Sequence, residues 1–176
     1  MFKLFIFIPK DLLINNNNSI NTKIMNFLSI DCSTDLGSLF IKYQNKTFNK
    51  ILQSDKSSND LLMKQILEFF LEKELNFNDI SVIFVNQGPG NFSSLRSSLA
   101  VAKGMSLSKN LHLFGYNTFI WSCASFLNKS ETILSIIKFR EKYFVQQFDK
   151  NLKSISKMRE VEKNEIIEKH NNEFKV

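Results

Sequence analysis

Glycine, proline, cysteine and histidine are scarce in this chain: five Gly, two Pro, two Cys and two His in 176 residues. Cys32 and Cys123 lie far apart and lack paired-ligand spacing. That excludes a disulfide framework and a cysteine zinc site, and it reads as two buried thiols in a reducing cytoplasm. His112 falls in a strand-like run and His170 in the C-terminal tail, so the histidines form no metal pair. Long apolar runs are missing too. The N-terminal LFIFI is about five residues, shorter than a signal-peptide core and far shorter than a membrane span, and Pro9, Lys10 and Asp11 stop it. No membrane role and no internal repeat are expected.

What is present is a globular composition, 43% hydrophobic and 23% charged. Eighteen Phe, with many Asn, Lys and Ile, fit an AT-rich coding sequence, so the aromatic excess says little about function. The net charge of +6 sits at the two ends. Residues 25–137 carry ten basic side chains against nine acidic, whereas residues 138–176 carry ten against seven. A solvated face is the expected reading of that basic end.

Residues 1–24, with the Asn15–Asn18 run, read as a disordered leader or an over-called start. From Met25 the pattern is regular. NFLSID (26–31), SLFIKY (38–43) and KTFNKIL (46–52) read as three strands of a meander. A helix over about 59–75 follows, capped by Ser57 or Ser58, with Asp60 in its first turn. Its Leu62, Met63, Ile66, Leu67, Phe69, Phe70 and Leu71 cover an arc of about 200°, more than one buried stripe needs. Either the helix is sandwiched inside the protein, or a second face meets a partner.

ISVIFVN (80–86) is a strand covered on both faces. After it comes NQGPGNFSSLRSSLAVAKG (86–104), which holds Gly88, Pro89, Gly90 and Gly104. A helix opening at Ser93 or Ser94 and running to about Lys109, then the buried strand LHLFGY (111–116), complete a βαβ crossover. The Gly-Pro-Gly loop matches neither the Walker nor the dinucleotide fingerprint, so a structural tight turn is favoured over a phosphate cradle. In the helix, Ala100, Gly104 and Ser108 make a narrow ridge that another backbone can approach closely, either the sheet beneath or another helix. A further helix over about 118–128 precedes a hairpin, ETILSIIKF (131–139) and KYFVQQFD (142–149). Beyond it, Leu152, Ile155 and Met158 give a weak helical periodicity.

SIDCSTDLGSLF, the Gly-Pro-Gly stretch and the hairpin together resemble the bacterial TsaB family. Ile30, Asp31, Ser33 and Thr34 match its first motif. Gly88, Pro89, Gly90, Phe92, Arg96, Ala102, Lys103 and Gly104 match its second, and Gly115 and Thr118 its third. The resemblance covers Met25 to about Asp149. It implies an α/β chain with the actin-like ATPase (ribonuclease H-like) fold: a first lobe over 25–117, a shortened second lobe over 118–149, and a charged tail over 150–176. It further implies a non-catalytic dimerisation subunit of the tRNA threonylcarbamoyladenosine machinery. Such a subunit pairs with a TsaD-like transferase, joined by a TsaE-like ATPase, and reaches tRNA only through the complex. Homodimerisation is an alternative pairing.

On this resemblance, Leu62, Ile66, Phe69 and Phe70 of one helix and Arg96, Leu99, Ala100 and Lys103 of the next are expected at the partner interface. Gly88, Pro89, Gly90 and Gly104 are expected to be architectural. Asp31 and Ser33 mark a vestigial nucleotide cleft, with ATP and metal expected only in partner subunits. Several positions depart from the family. Residues 57–60 carry no His pair, Ser94 replaces a Gly, and Lys138 stands where the hairpin usually has Asp. The competing reading is a self-sufficient actin-fold phosphotransferase or metal-dependent hydrolase built on Asp31 and the Gly88–Gly90 loop.

Overall fold

The computed structural model describes residues 25–52, 60–127 and 129–170. They divide into two compact units, one within Asn15–Asn117 and one within Thr118–Val176. No helix among the described residues is long and apolar enough to cross a membrane.

The first unit is built on a five-stranded sheet in the order β3-β2-β1-β4-β5. β1 (Phe27–Asp31), β2 (Ser38–Tyr43) and β3 (Lys46–Ile51) form the antiparallel meander that the alternating pattern predicts. β4 (Val82–Asn86) and β5 (His112–Tyr116) add in parallel beyond β1. A three-stranded meander extended by two parallel strands on the side of its first strand is the ribonuclease H-like arrangement of actin-like ATPases. β4 is buried at every position, as a strand covered on both faces should be. β5 is only half-buried, which corrects the expectation for LHLFGY: it is the edge of the sheet, so part of each face meets solvent.

Two helices cover one face. α1 (Asp60–Glu72) and α2 (Phe92–Lys109) pack on Leu28, Ile30, Leu39, Ile41, Ile83 and Val85. α1 ends three residues earlier than its apolar pattern suggests. Glu74 takes φ 54, and the Leu75 N–H turns back onto the Phe70 carbonyl at 2.9 Å, which closes the helix. The expected caps Ser57 and Ser58 lie outside the described residues. α2 opens at Phe92, just before the expected Ser93 or Ser94, because Asn91 caps it: its side chain accepts from the Ser94 N–H at 3.3 Å. α2 closes at Asn110, φ 51, with the Leu111 N–H on the Ser106 carbonyl. The opposite face of the sheet carries a row of aromatic rings, with Phe84 between Phe27 at 5.2 Å and Phe114 at 5.8 Å.

The second unit is a three-stranded antiparallel sheet, β6-β7-β8. β6 (Thr132–Phe139) and β7 (Lys142–Asp149) form a hairpin turning at Arg140–Glu141, with Arg140 at φ 55. α3 (Thr118–Cys123) places Phe119 and Cys123 on Ile133, Phe148 and Leu152. It is shorter than the expected 118–128 because the chain tightens into a 3₁₀ turn over Ala124–Phe126. The helical periodicity read beyond residue 150 is corrected as well. Asp149 Oδ1 accepts the N–H groups of Asn151 and Lys153, which folds the chain back so that Ser154 bridges to Phe148. The segment then supplies β8 (Arg159–Val161) and α4 (Lys163–His170). Leu152 and Val161 are buried, while Ile155 and Met158 stay exposed.

Candidate functional site

The parallel strands β1, β4 and β5 end together, and each contributes a polar side chain at that end: Asp31, Asn86 and Tyr116. Asp31 Oδ1 accepts from the Ser33 N–H at 2.9 Å and from Ser33 Oγ at 2.7 Å. Its Oδ2 accepts from Asn86 Nδ2 at 2.9 Å and, more weakly, from the Tyr116 hydroxyl at 3.4 Å. Ser29 Oγ lies 3.4 Å from the same hydroxyl. Asn86 is completely buried, and its Oδ1 accepts the Gly88 N–H at 2.8 Å. One amide side chain thus joins the end of β1 to the start of the Gly-Pro-Gly loop.

That loop is an architectural device. Gly88 takes φ +92, a conformation that side chains disfavour. A Cβ on Gly90 would stand 2.2 Å from the Ser33 carbonyl oxygen, so only glycine lets the loop lie against the turn after β1. The Asn91 N–H then donates to that carbonyl at 2.8 Å, just before α2 begins. Gly88, Gly90 and the intervening Pro89 therefore dock two loops together at the strand ends. Gly104 differs: a Cβ there would meet nothing within 4 Å.

Electrostatics at the strand ends favours neutral, protonated partners around one carboxylate. Burial, and then the Asp31 charge, push the Cys32 thiol up to about 12, partly offset by a hydrogen bond with Ser98. The same two causes, in the same order, raise the Tyr116 phenol. A carboxylate offers about four acceptor positions, and four donors address those of Asp31. No group of three His, Cys, Asp or Glu side chains that could hold a metal comes together among the described residues. Asp31 and Ser33 are therefore committed to each other, and this donor set does not fit a metal–nucleotide site. The arrangement fixes a backbone junction between the turn after β1 and the ends of β4 and β5.

The second candidate surface is the outer side of α1 and α2, and here the interface expectation is partly corrected. Leu62, Ile66, Phe69 and Phe70 are 8%, 0%, 0% and 3% exposed. They fill the core of their own unit, so the apolar arc of α1 divides: one side packs on the sheet, while Leu67 and Leu71 remain 45% and 76% exposed. On α2, Ser98, Ala102 and Met105 face the sheet. Leu99 is half-buried against the core, whereas Arg96, Ala100 and Lys103 are exposed. Gly104 and Ser108 are exposed as well, so the small-residue ridge faces away from the sheet.

Two further residues belong to this surface. Phe92 is 70% exposed beneath the Arg96 guanidinium, 5.4 Å from its ring centre, and Leu107 is 85% exposed. Positions 92, 96, 100, 103 and 107 recur at helical spacing and share one stripe. That spacing was readable in advance, but a single exposed Phe and Leu carry no signal until the buried face is known.

A family model described as TsaD, tRNA N6-adenosine threonylcarbamoyltransferase, matches residues 52–163, more than half of the chain. Curated relatives from Buchnera aphidicola carry the name tRNA threonylcarbamoyladenosine biosynthesis protein TsaB. The one from the Baizongia pistaciae subspecies is 30% identical over 113 residues, covering 62% of this chain and 51% of the relative. The one from the Schizaphis graminum subspecies is 26% identical over 92 residues, covering 52% and 43%. The chain thus spans about half the length of these relatives. Among solved structures, YeaZ from Pseudomonas aeruginosa shares the fold, with a TM-score of 0.64 at 13% identity over 78% of this chain and 67% of that one. Together with the sequence motifs at the strand ends and in α2, these matches show that the chain belongs to the TsaD-related family, as a TsaB-type member.

Proposed function

We propose that this chain is a non-catalytic subunit for threonylcarbamoyladenosine formation in tRNA, and that it docks a TsaD-like transferase on the outer stripe of α2. The observation that carries the reading is that stripe: Phe92 and Leu107 are largely exposed, Arg96, Ala100 and Lys103 lie between them, and nothing stands near Gly104. Exposed apolar side chains rimmed by charge on a helix mark a surface built for another protein. The absent Cβ at Gly104 leaves room for a partner backbone to come close. Covering Phe92 and Leu107 would stabilise a complex by roughly 1.5–3 kcal/mol each, with Arg96 and Lys103 setting register.

The engaged state of Asp31 supports placing the chemistry elsewhere, with ATP and metal held by the transferase and by a TsaE-like ATPase. On this reading tRNA is reached only through the assembled complex, in the cytoplasm.

The test is co-expression of the chain with the TsaD-like protein of the same organism, followed by size-exclusion chromatography with light scattering. A one-to-one complex is expected, and Leu107→Asp should abolish it while leaving the circular dichroism of the chain unchanged. A complex that tolerates Leu107→Asp and Phe92→Asp would remove α2 from the interface. Failure of the unaltered chain to bind would overturn the pairing.

A further inference from the structure

α2 is held to the sheet in two different ways. Its second half is fixed by apolar packing, with Ala102 and Met105 buried in the core. Before Ser98 no residue of the helix is buried, and the first turn carries the exposed Phe92 beneath Arg96. Leu95 lies against Gly88 of the loop. The remaining ties of this turn are polar and lead back to one carboxylate. Asp31 Oδ1 accepts the N–H and the hydroxyl of Ser33, and the Ser33 carbonyl accepts the Asn91 N–H at 2.8 Å. Asn91 then accepts two first-turn amides, Ser94 N–H on its side chain at 3.3 Å and Leu95 N–H on its carbonyl at 2.9 Å. From Asp31 Oδ2 a second route runs through Asn86 Nδ2 to Asn86 Oδ1, which accepts the Gly88 N–H at 2.8 Å. The two oxygens of Asp31 therefore clamp both ends of the loop 87–91 that leads into α2. A hydrogen bond between Cys32 and the completely buried Ser98 adds a tie one turn further along.

We propose that Asp31 and Ser33 are positioning residues for docking: by fixing Asn91 they set the direction in which Phe92 and Arg96 face the partner. Leu107, at the far end of the same stripe, is left to the packing of Ala102 and Met105 on the sheet. The first N–H groups of a helix have no partner within it, so the direction of its first turn follows whatever holds the cap. A surface fixed before contact also loses less conformational freedom on binding, so these ties raise affinity without touching the partner. The proposal rests on the docking reading of α2 given above, and it gives the strand-end cluster a task within that reading. Its effect is polarised: a change at the junction acts on the near end of the stripe and spares the far end.

The full chain is titrated calorimetrically against the TsaD-like protein of the same organism, with amide exchange of the free chain alongside. Ser33→Ala deletes the hydroxyl that donates to Asp31 and keeps the backbone bonds. It should weaken binding roughly five-fold. In the free chain it should speed exchange of the Ser94 and Leu95 amides and leave residues 102–109 as protected as before. A double-mutant cycle separates positioning from a general loss of structure. The effect of Ser33→Ala should disappear in a Phe92→Ala background and persist in full in a Leu107→Ala background, whereas a general loss would act equally in both. Should Ser33→Ala fail to fold, a second pair decides: Asn86→Asp should weaken binding, and Asn86→Asp with Asp31→Asn, which puts a donor back between the two positions, should restore it. Unchanged binding by folded Ser33→Ala, equal coupling to Phe92 and Leu107, or a second pair that restores nothing overturns the positioning role and leaves the docking reading standing. Failure of the unaltered chain to bind overturns both.

Discussion

Asp31 shows how one side chain can hold a junction. Its four donors come from the turn after β1 and from the ends of β4 and β5, so the carboxylate is the point at which three strands agree on where to stop. Asn86→Asp removes the Nδ2 donor and sets a second carboxylate against the first at a fully buried position. A loss of about 3 kcal/mol is expected from urea unfolding; an unchanged midpoint would mean that Asp31 and Asn86 do not depend on each other. The neighbouring thiol makes a separate prediction. Cys32 is raised from 9.0 to about 12, so the folded chain keeps a proton that the unfolded chain releases. Its contribution is therefore complete below pH 9 and is lost as pH rises toward 12, at about 1.4 kcal/mol per pH unit. Tyr116, raised from 10.0, acts in the same direction above that pH. Stability measured from pH 8 to 11 should fall, and Cys32→Ala should flatten the fall between pH 9 and 10. Cys123 moves the same way, so some slope should remain.

At the scale of elements, two glycines nineteen residues of family motif share have opposite roles, and substitution separates them. Gly90 lies against the backbone of Ser33, so Gly90→Ala forces the loop and the start of α2 to shift. It should cost about 2 kcal/mol, read as a lower unfolding midpoint. Gly104 sits in the interior of α2 with open space where a Cβ would stand. Gly104→Ala should therefore stabilise the isolated chain by about 1 kcal/mol, because alanine has the better helix propensity. If α2 is the docking surface, the same methyl group should weaken binding of the TsaD-like partner. A rise in thermal midpoint together with unchanged partner affinity would separate Gly104 from the interface. α1 shows what an arc of about 200° on a wheel leaves open, because only packing divides it between core and surface. Leu62 and Ile66 went inside, while Leu67 and Leu71 stayed outside.

For the whole molecule, the excess of +6 is interspersed with acidic side chains. In the second unit Lys142 is bonded to Glu160, Lys150 to Glu131 and Arg159 to Glu165. These exposed pairs add little to stability, but they set carboxylates beside three of the cations at the basic end. The isolated chain should therefore bind unmodified tRNA only weakly and without sequence preference, and fluorescence anisotropy should show that binding vanish by roughly 0.2 M salt. Tight, salt-resistant binding by the chain alone would contradict the view that tRNA is reached through a complex.

The strands and the hairpin were legible in the sequence because alternation and continuous apolar runs are local consequences of which faces are covered. SLFIKY became β2 and KYFVQQFD became β7 at the positions the pattern marks. The motif residues Asp31, Gly88 and Gly90 were legible through family likeness, and their spacing along the chain sufficed to group them. The chain alone could not say which side of an amphipathic helix faces inward, since Phe70 and Leu71 are neighbours of equal hydrophobicity and only packing against β1 and β4 separates them. It could not reveal that Asp31 spends its acceptors on Ser33, Asn86 and Tyr116, because two of those donors lie 55 and 85 residues away. Local covalent order determined the elements; burial and long-range hydrogen bonding, which depend on the assembled sheet, decided which side chains remain available for function.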